Sequence, residues 1–145
     1  MTSTADRSGS DGATPQREHE AVDPATDLAV TVFARACASR GALEDIGTKW
    51  GFLALLALGE GDYRFNALRR RVDGVSEKML AQTLQTLERD GMVVRDVVTT
   101  IPPRVQYSLT PLGVRVAGRI ADLTALLEDA VPEIVAAQDR FDHRS

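Results

Sequence analysis

The stretch from Asp73 to Met92, DGVSEKMLAQTLQTLERDGM, constrains the fold more than any other part of the chain. Asp73-Gly74 breaks the element before it. Ser76 is suited to cap a helix, because its hydroxyl can accept an orphan N–H of the first turn, so a helix is expected from Glu77 to Asp90. Leu80, Leu84 and Leu87 recur at helical spacing and fall within about 60° of one another on a wheel of 100° per residue. They form one apolar stripe. Gly91 occupies the position past the last turn, where a left-handed backbone is favoured. Lys78, Gln82, Gln85 and Arg89 lie along the opposite line, with Ser76, Thr83 and Thr86 near its ends and flanks.

The neighbouring segments place this helix in a larger pattern. Arg64 to Val72 reads as a short helix with Phe65, Leu68 and Val72 inward. Met92–Thr99 and Arg104–Leu109 read as strands. The second alternates cleanly, with Val105, Tyr107 and Leu109 on one face and Arg104, Gln106 and Ser108 on the other. Thr100-Ile101-Pro102-Pro103 is expected to interrupt the ladder, because proline lacks the donor. A short helix, a turn, a capped amphipathic helix and a hairpin make a winged helix-turn-helix, so the fold class is mainly α with a small β-hairpin (α+β).

Further helices are expected around this motif. Asp23-Pro24 opens one from Pro24 to Arg40 carrying Leu28, Val32 and Phe33, which Gly41 ends or bends. A short helix follows over Ala42–Gly47. Lys49–Leu58 is apolar nearly all round and should be buried. Gly59-Glu60-Gly61-Asp62 is a turn. Thr110-Pro111 opens a long helix with Leu112, Val116, Ile120, Leu123 and Leu127 along one stripe, and Pro132 kinks it or starts another over Glu133–Phe141. Residues 1–22 are polar and glycine-rich and are expected to be a disordered tail, which leaves one domain over residues 23–145.

The net charge of −4 argues against nucleic acid until its distribution is considered. Residues 62–119 hold ten Lys/Arg against six Asp/Glu, net +4, between acidic ends. Attraction to phosphate depends on the local face. Other classes are excluded more directly. No apolar run approaches the roughly 18 residues of a membrane span, and the first residues lack the apolar stretch of a secretory signal. Cys37 is the only cysteine, so no internal disulfide can form, which suits a reducing, cytoplasmic setting. His19 and His143 lie in the tails, and no metal-ligand spacing exists. Nothing supplies a nucleophile–base pair, a phosphate-cradling glycine loop or a carboxylate constellation, so no enzyme, catalytic residue or cofactor is expected.

The expectation is therefore a DNA-binding regulator. The major groove admits one helix, and amide, hydroxyl and cationic side chains can read its base edges and phosphates. The candidate DNA contacts are Arg64, Ser76, Lys78, Gln82, Thr83, Gln85, Thr86 and Arg89, with Arg95 and Arg104 on the wing. The alternative is a winged-helix module that binds protein and shows no salt-dependent affinity for DNA.

Four ordered runs carry a resemblance. They are Ile46-Gly47-Thr48-Lys49-Trp50, Tyr63-Arg64-Phe65-Asn66-Ala67-Leu68, Leu84 through Val93 (LQTLERDGMV), and Pro102 through Gly113 (PPRVQYSLTPLG). Together they resemble the HxlR-type family of bacterial winged-helix regulators, which is similar to the broader MarR-like group. The match covers about residues 37–125, taken as the domain core. The chain departs from the family pattern at Gln106, where glutamate is usual, at Thr48, where a second glycine is usual, and in its longer N-terminal extension.

The resemblance implies a homodimer on a roughly palindromic operator, most simply a repressor. The apolar residues Leu28, Val32 and Phe33 of the N-terminal helix, and Leu112, Val116, Ile120, Leu123 and Leu127 of the C-terminal one, exceed what one small domain needs to cover and are the candidate dimer interface. A cysteine at the position of Cys37, ten residues before Gly47, recurs in the family and in some members senses oxidants or electrophiles. Cys37 is the candidate redox sensor here. Trp50 and Phe52 are candidates for lining a small-ligand pocket at the dimer interface.

Overall fold

The computed structural model describes residues 32–144. The chain divides into two compact units, with the division between Leu43 and Glu44. The expected tail over residues 1–22, Leu28 and the first eight residues of the expected Pro24–Arg40 helix lie outside the described residues.

In the first unit, Val32 and Phe33 are helical and a turn follows over residues 34–36. Helix α1 then runs Ala38–Ile46. The break therefore falls before Cys37 and not at Gly41, and the separate helix expected from Ala42 is the second half of α1. Two local contacts explain the shift. Arg40 Nη1 donates to the Phe33 carbonyl at 2.9 Å, and the Gly41 N–H donates to the Cys37 carbonyl at 3.3 Å. A glycine inside a helix costs only about 1 kcal/mol relative to alanine, which the α1 register absorbs.

The second unit is built around helix α2, Lys49–Leu58. Thr48 caps it: its hydroxyl accepts the Gly51 N–H at 3.0 Å and donates to the Asp45 carbonyl at 3.3 Å. The residue that departs from the family pattern is thus a better cap than the Ala-like or apolar alternatives, and comparable to glycine. Ala54, Leu55, Ala57 and Leu58 are buried. Strand β1 (Tyr63–Arg64) leads into helix α3 (Phe65–Arg71). Arg64 therefore sits in a strand, not in the helix where the sequence placed it. Two residues paired to a distant strand leave no local signature.

Helix α4, Glu77–Arg89, follows a short turn. Ser76 accepts the Met79 N–H at 3.1 Å, the expected N-cap. Leu80, Leu84 and Leu87 are all buried, and α4 packs on α2. At the far end, Met92 N donates to the Leu87 carbonyl and Gly91 N to the Glu88 carbonyl, each at 3.0 Å. This is a Schellman cap, and Gly91 supplies the positive φ of 77° that it requires.

Strands β2 (Val93–Thr100) and β3 (Pro103–Leu109) form the wing, and β1 pairs with the other edge of β3, giving a three-stranded antiparallel sheet of order β1-β3-β2. Tyr63 faces Tyr107, and Val93 faces Leu109, with an irregularity between Val97 and Thr99. The ladder reaches Thr100 opposite Pro103, so the loop is only Ile101-Pro102. The expectation that Pro103 lies outside the ladder is corrected: at the first position of a strand its missing donor breaks no regular pairing.

Helix α5, Pro111–Asp129, and helix α6, Val131–Asp142, complete the unit. Pro132 sits in the first turn of α6, so it starts a new helix. The Thr110 hydroxyl accepts the Gly113 N–H at 2.9 Å and donates to the Gly91 carbonyl at 2.7 Å. One side chain thereby caps α5 and clasps the end of α4. Gly113 completes the clasp, because any Cβ there would overlap the Met92 carbonyl oxygen. Gly113, Ala117 and Ile120 are the buried residues of α5, which packs on α2. Among the described residues, no helix is long and apolar enough to cross a membrane.

Candidate nucleic-acid interface

Burying Leu80, Leu84 and Leu87 determines what α4 shows outward. Lys78, Gln82, Gln85 and Arg89 are exposed, so four of the predicted contacts share one open helical face. Thr83 and Thr86 are only half-buried flank residues. They turn toward a cavity of about 300 Å³ that they line with Asp45, Thr48, Trp50, Met79 and Gln82. The two threonines thus sit on the flank of the open face, beside the start of α2. The Ser76 hydroxyl is engaged as the cap.

Trp50 is among the residues that line this cavity, and the Lys49 ammonium stands 4.4 Å from the Trp50 ring centroid, a cation–π contact. Phe52 is half-buried and does not line it.

The acidic residue nearest the start of the open face has a partner. Glu77 Oε2 accepts from Arg69 Nη1 at 3.4 Å. Both are exposed, so the pair adds little stability, but it lowers the negative charge presented there. A second pair lies at the other end of the motif. Arg71 Nε donates to Glu60 Oε1 at 2.9 Å and Tyr63 Oη to the same oxygen at 2.8 Å. The Arg71 guanidinium, aided by the Tyr63 hydroxyl, holds Glu60 down at about 2. Gln106 donates to Asp62 at 3.3 Å, a hydrogen bond that an ionised glutamate at this position could not make.

Arg64, Arg95 and Arg104 are exposed on the sheet. Val97, Val98 and Ile101 are exposed on the wing as well, and Ile101 at the tip is 91% exposed. Toward its base the wing turns into the core, where Val93 and Tyr107 are buried and Tyr107 meets the Phe65 ring at a centroid distance of 6.5 Å.

Asp90, the C-cap residue of α4, is a strongly perturbed acid. Burial pushes its carboxyl up to about 6, the neighbouring Asp45 carboxyl adds to the rise, and Arg89 opposes it. Its Oδ2 is buried with no hydrogen-bond partner. A carboxyl that is harder to ionise in the folded chain than at its ordinary 3.8 contributes stability below that value, and the contribution is lost as pH rises toward 6. Asp90→Asn is therefore expected to raise the thermal midpoint at pH 7.5 and to leave it nearly unchanged at pH 4. A loss of stability at both pH values in a melting series would contradict this.

In the first unit, the Cys37 thiol is partly exposed and its Sγ lies 2.9 Å from Ser39 Oγ. That hydrogen bond, with the Arg40 and Ser39 backbone N–H groups, lowers its pKa against a small opposing effect of burial. Phe33 is 78% exposed and Val32 half-buried. The C-terminal residues predicted to pair subunits divide. Ile120 is buried in the core of its own unit and Val116 is half-buried, whereas Leu112, Leu123 and Leu127 are exposed. Sequence inspection missed Leu126, Val131, Ile134 and Val135, which extend the exposed apolar surface. Their spacing along α5 and α6 was the available signal.

Comparison with known proteins gives a consistent result. The profile of the HxlR-like helix-turn-helix family matches residues 45–134. The chain is 49% identical over 108 residues to the uncharacterised HTH-type transcriptional regulator YtfH of Escherichia coli (strain K12), covering 74% of this chain and 86% of that one. The ytfH structure from Salmonella typhimurium matches with a TM-score of 0.69 and 47% identity, over 74% of this chain and 96% of that one. The reduced form of the redox regulator HypR matches with a TM-score of 0.62 and 31% identity, over 68% and 97%.

Proposed function

The chain belongs to the HxlR-like helix-turn-helix family and is a transcriptional regulator of that type, and from this premise we propose that it binds a roughly palindromic DNA operator as a cytoplasmic homodimer and represses by occupying a promoter. The observation that carries the reading is the open face of α4. Lys78, Gln82, Gln85 and Arg89 project from a helix whose other side is clamped by three buried leucines, an N-cap and a Schellman cap. A rigid helix with an amide-rich, cationic face suits base edges and phosphates. The exposed apolar residues Leu123, Leu126, Leu127, Val131, Ile134 and Val135 support pairing of two copies, because a lone soluble subunit rarely leaves so much apolar surface in water.

Cys37 is the proposed responsive group. Hydrogen bonding to its sulfur favours the thiolate. Oxidation would join the Cys37 thiols of two subunits in a disulfide, with two protons released and two electrons passed to the oxidant. Gel shifts on duplexes from the gene's own upstream region, over a series of salt concentrations, test the reading. The logarithm of affinity should fall with the logarithm of salt by about 0.9 per phosphate contacted. Diamide should alter binding by the parent protein and not by Cys37→Ser. Salt-independent or absent binding would favour a protein-interaction module, and equal diamide responses would remove the sensing role.

A further inference from the structure

Three consecutive arginines on α3 meet different fates. Arg69 pairs with Glu77 and Arg71 with Glu60, but Arg70 between them has no ion pair or side-chain hydrogen bond among the described residues. Arg70 lines a surface cleft of about 440 Å³ together with Arg64 of β1, Asn66 of α3 and Arg104 of β3, over a floor that includes Phe65 and Val105. Arg64 and Arg104 are likewise unpaired among the described residues. No aspartate or glutamate lines the cleft.

Three elements thus converge on one opening with three guanidinium groups and a carboxamide. The two α3 arginines outside it, Arg69 and Arg71, are paired with carboxylates, and the three inside it are not. Like charges gathered without a counter-anion repel one another, so the arrangement favours an anion with several acceptor oxygens. Guanidinium groups match phosphate by forked hydrogen bonding.

We propose that this cleft is a seat for one backbone phosphodiester of bound duplex DNA, held by Arg64, Arg70 and Arg104 where the strand passes between the helix-turn-helix and the wing. The assignment rests on the DNA-binding reading above and adds Arg70 and Asn66, which sequence inspection did not single out. A seat of this kind reads no bases. It sets the register in which α4 meets the groove.

The test compares the parent, Arg70→Ala, Arg70→Lys and Arg140→Ala on a cognate duplex and on an unrelated duplex of equal length. Arg140, on α6, removes the same charge elsewhere. Arg70→Ala should weaken both duplexes by about tenfold per bound subunit near 0.1 M salt and make the salt slope shallower by about 1 per subunit. Arg70→Lys should keep the slope, and Arg140→Ala should keep both affinity and slope. A scan of single neutral methylphosphonates should find one position per half-site that weakens the parent and not Arg70→Ala. If the parent binds no duplex, the DNA-binding reading and this seat fall together. If the parent binds and Arg70→Ala matches it, or Arg140→Ala loses as much, the seat alone is wrong. Equal thermal midpoints establish that each variant is folded.

Discussion

Gln82→Ala is expected to cost specific binding on the order of 2–6 kcal/mol, a loss of roughly 30-fold to 10⁴-fold, while hardly changing affinity for unrelated DNA. A glutamine that pairs with a base edge through both ends of its amide discriminates by about 1–3 kcal/mol, and a dimer loses the contact twice. Gln82 is the residue for this test because it is exposed midway along the open face of α4. Lys78→Ala should behave differently. In the proposed complex the Lys78 ammonium, near the start of the helix, meets phosphate, so its loss should weaken cognate and unrelated duplexes alike and make the salt dependence shallower. Fluorescence anisotropy with both duplexes at two salt concentrations separates the two patterns. Equal losses on both duplexes for Gln82→Ala would show that it does not read sequence.

The second large effect concerns the platform behind that face. Leu84 is 1% exposed and lies between Leu80 and Leu87 on the stripe by which α4 packs on α2. Leu84→Ala removes buried methyl groups and leaves a cavity, which is expected to cost about 2–5 kcal/mol. Stabilities of natural domains are only about 5–15 kcal/mol, so much of the total is at stake. Gln85→Ala, one residue on and exposed, should stay within about 0.5 kcal/mol. Urea unfolding at one fixed protein concentration measures both, because pairing of subunits would make the midpoint concentration-dependent. A cost below about 1 kcal/mol for Leu84→Ala would mean that α4 is not anchored through this stripe.

The two experiments examine the same helix from opposite sides. The proposed reading face is useful only if its register is held, and the hold comes from both ends as well as from the stripe. Ser76 ties the first turn, and the Thr110 hydroxyl reaches back to the Gly91 carbonyl at 2.7 Å to tie the last. Such clasping lowers the ordering cost of binding, since a surface already in its bound conformation loses less freedom on contact.

Sequence alone was enough for α4, its Ser76 cap, its Gly91 terminator, the Thr110-Pro111 start of α5 and the strand character of β3, though not its alternation, since Gln106 and Ser108 are half-buried like Val105 and Leu109. Each rests on interactions within a few residues along the chain, where spacing and side-chain chemistry decide the outcome. Contacts between distant segments decided the rest. The β1 strand exists because Tyr63 and Arg64 pair with Tyr107 and Gln106. Ile120 lies in the core while Leu123 and Leu127 do not, because α2 covers only part of the α5 stripe. Arg70 differs from Arg69 and Arg71 only in what stands opposite it once the chain is folded: they face carboxylates, and it opens toward Arg64 and Arg104. No local pattern among three identical residues encodes that difference. It arises from the tertiary placement of groups far apart in the chain.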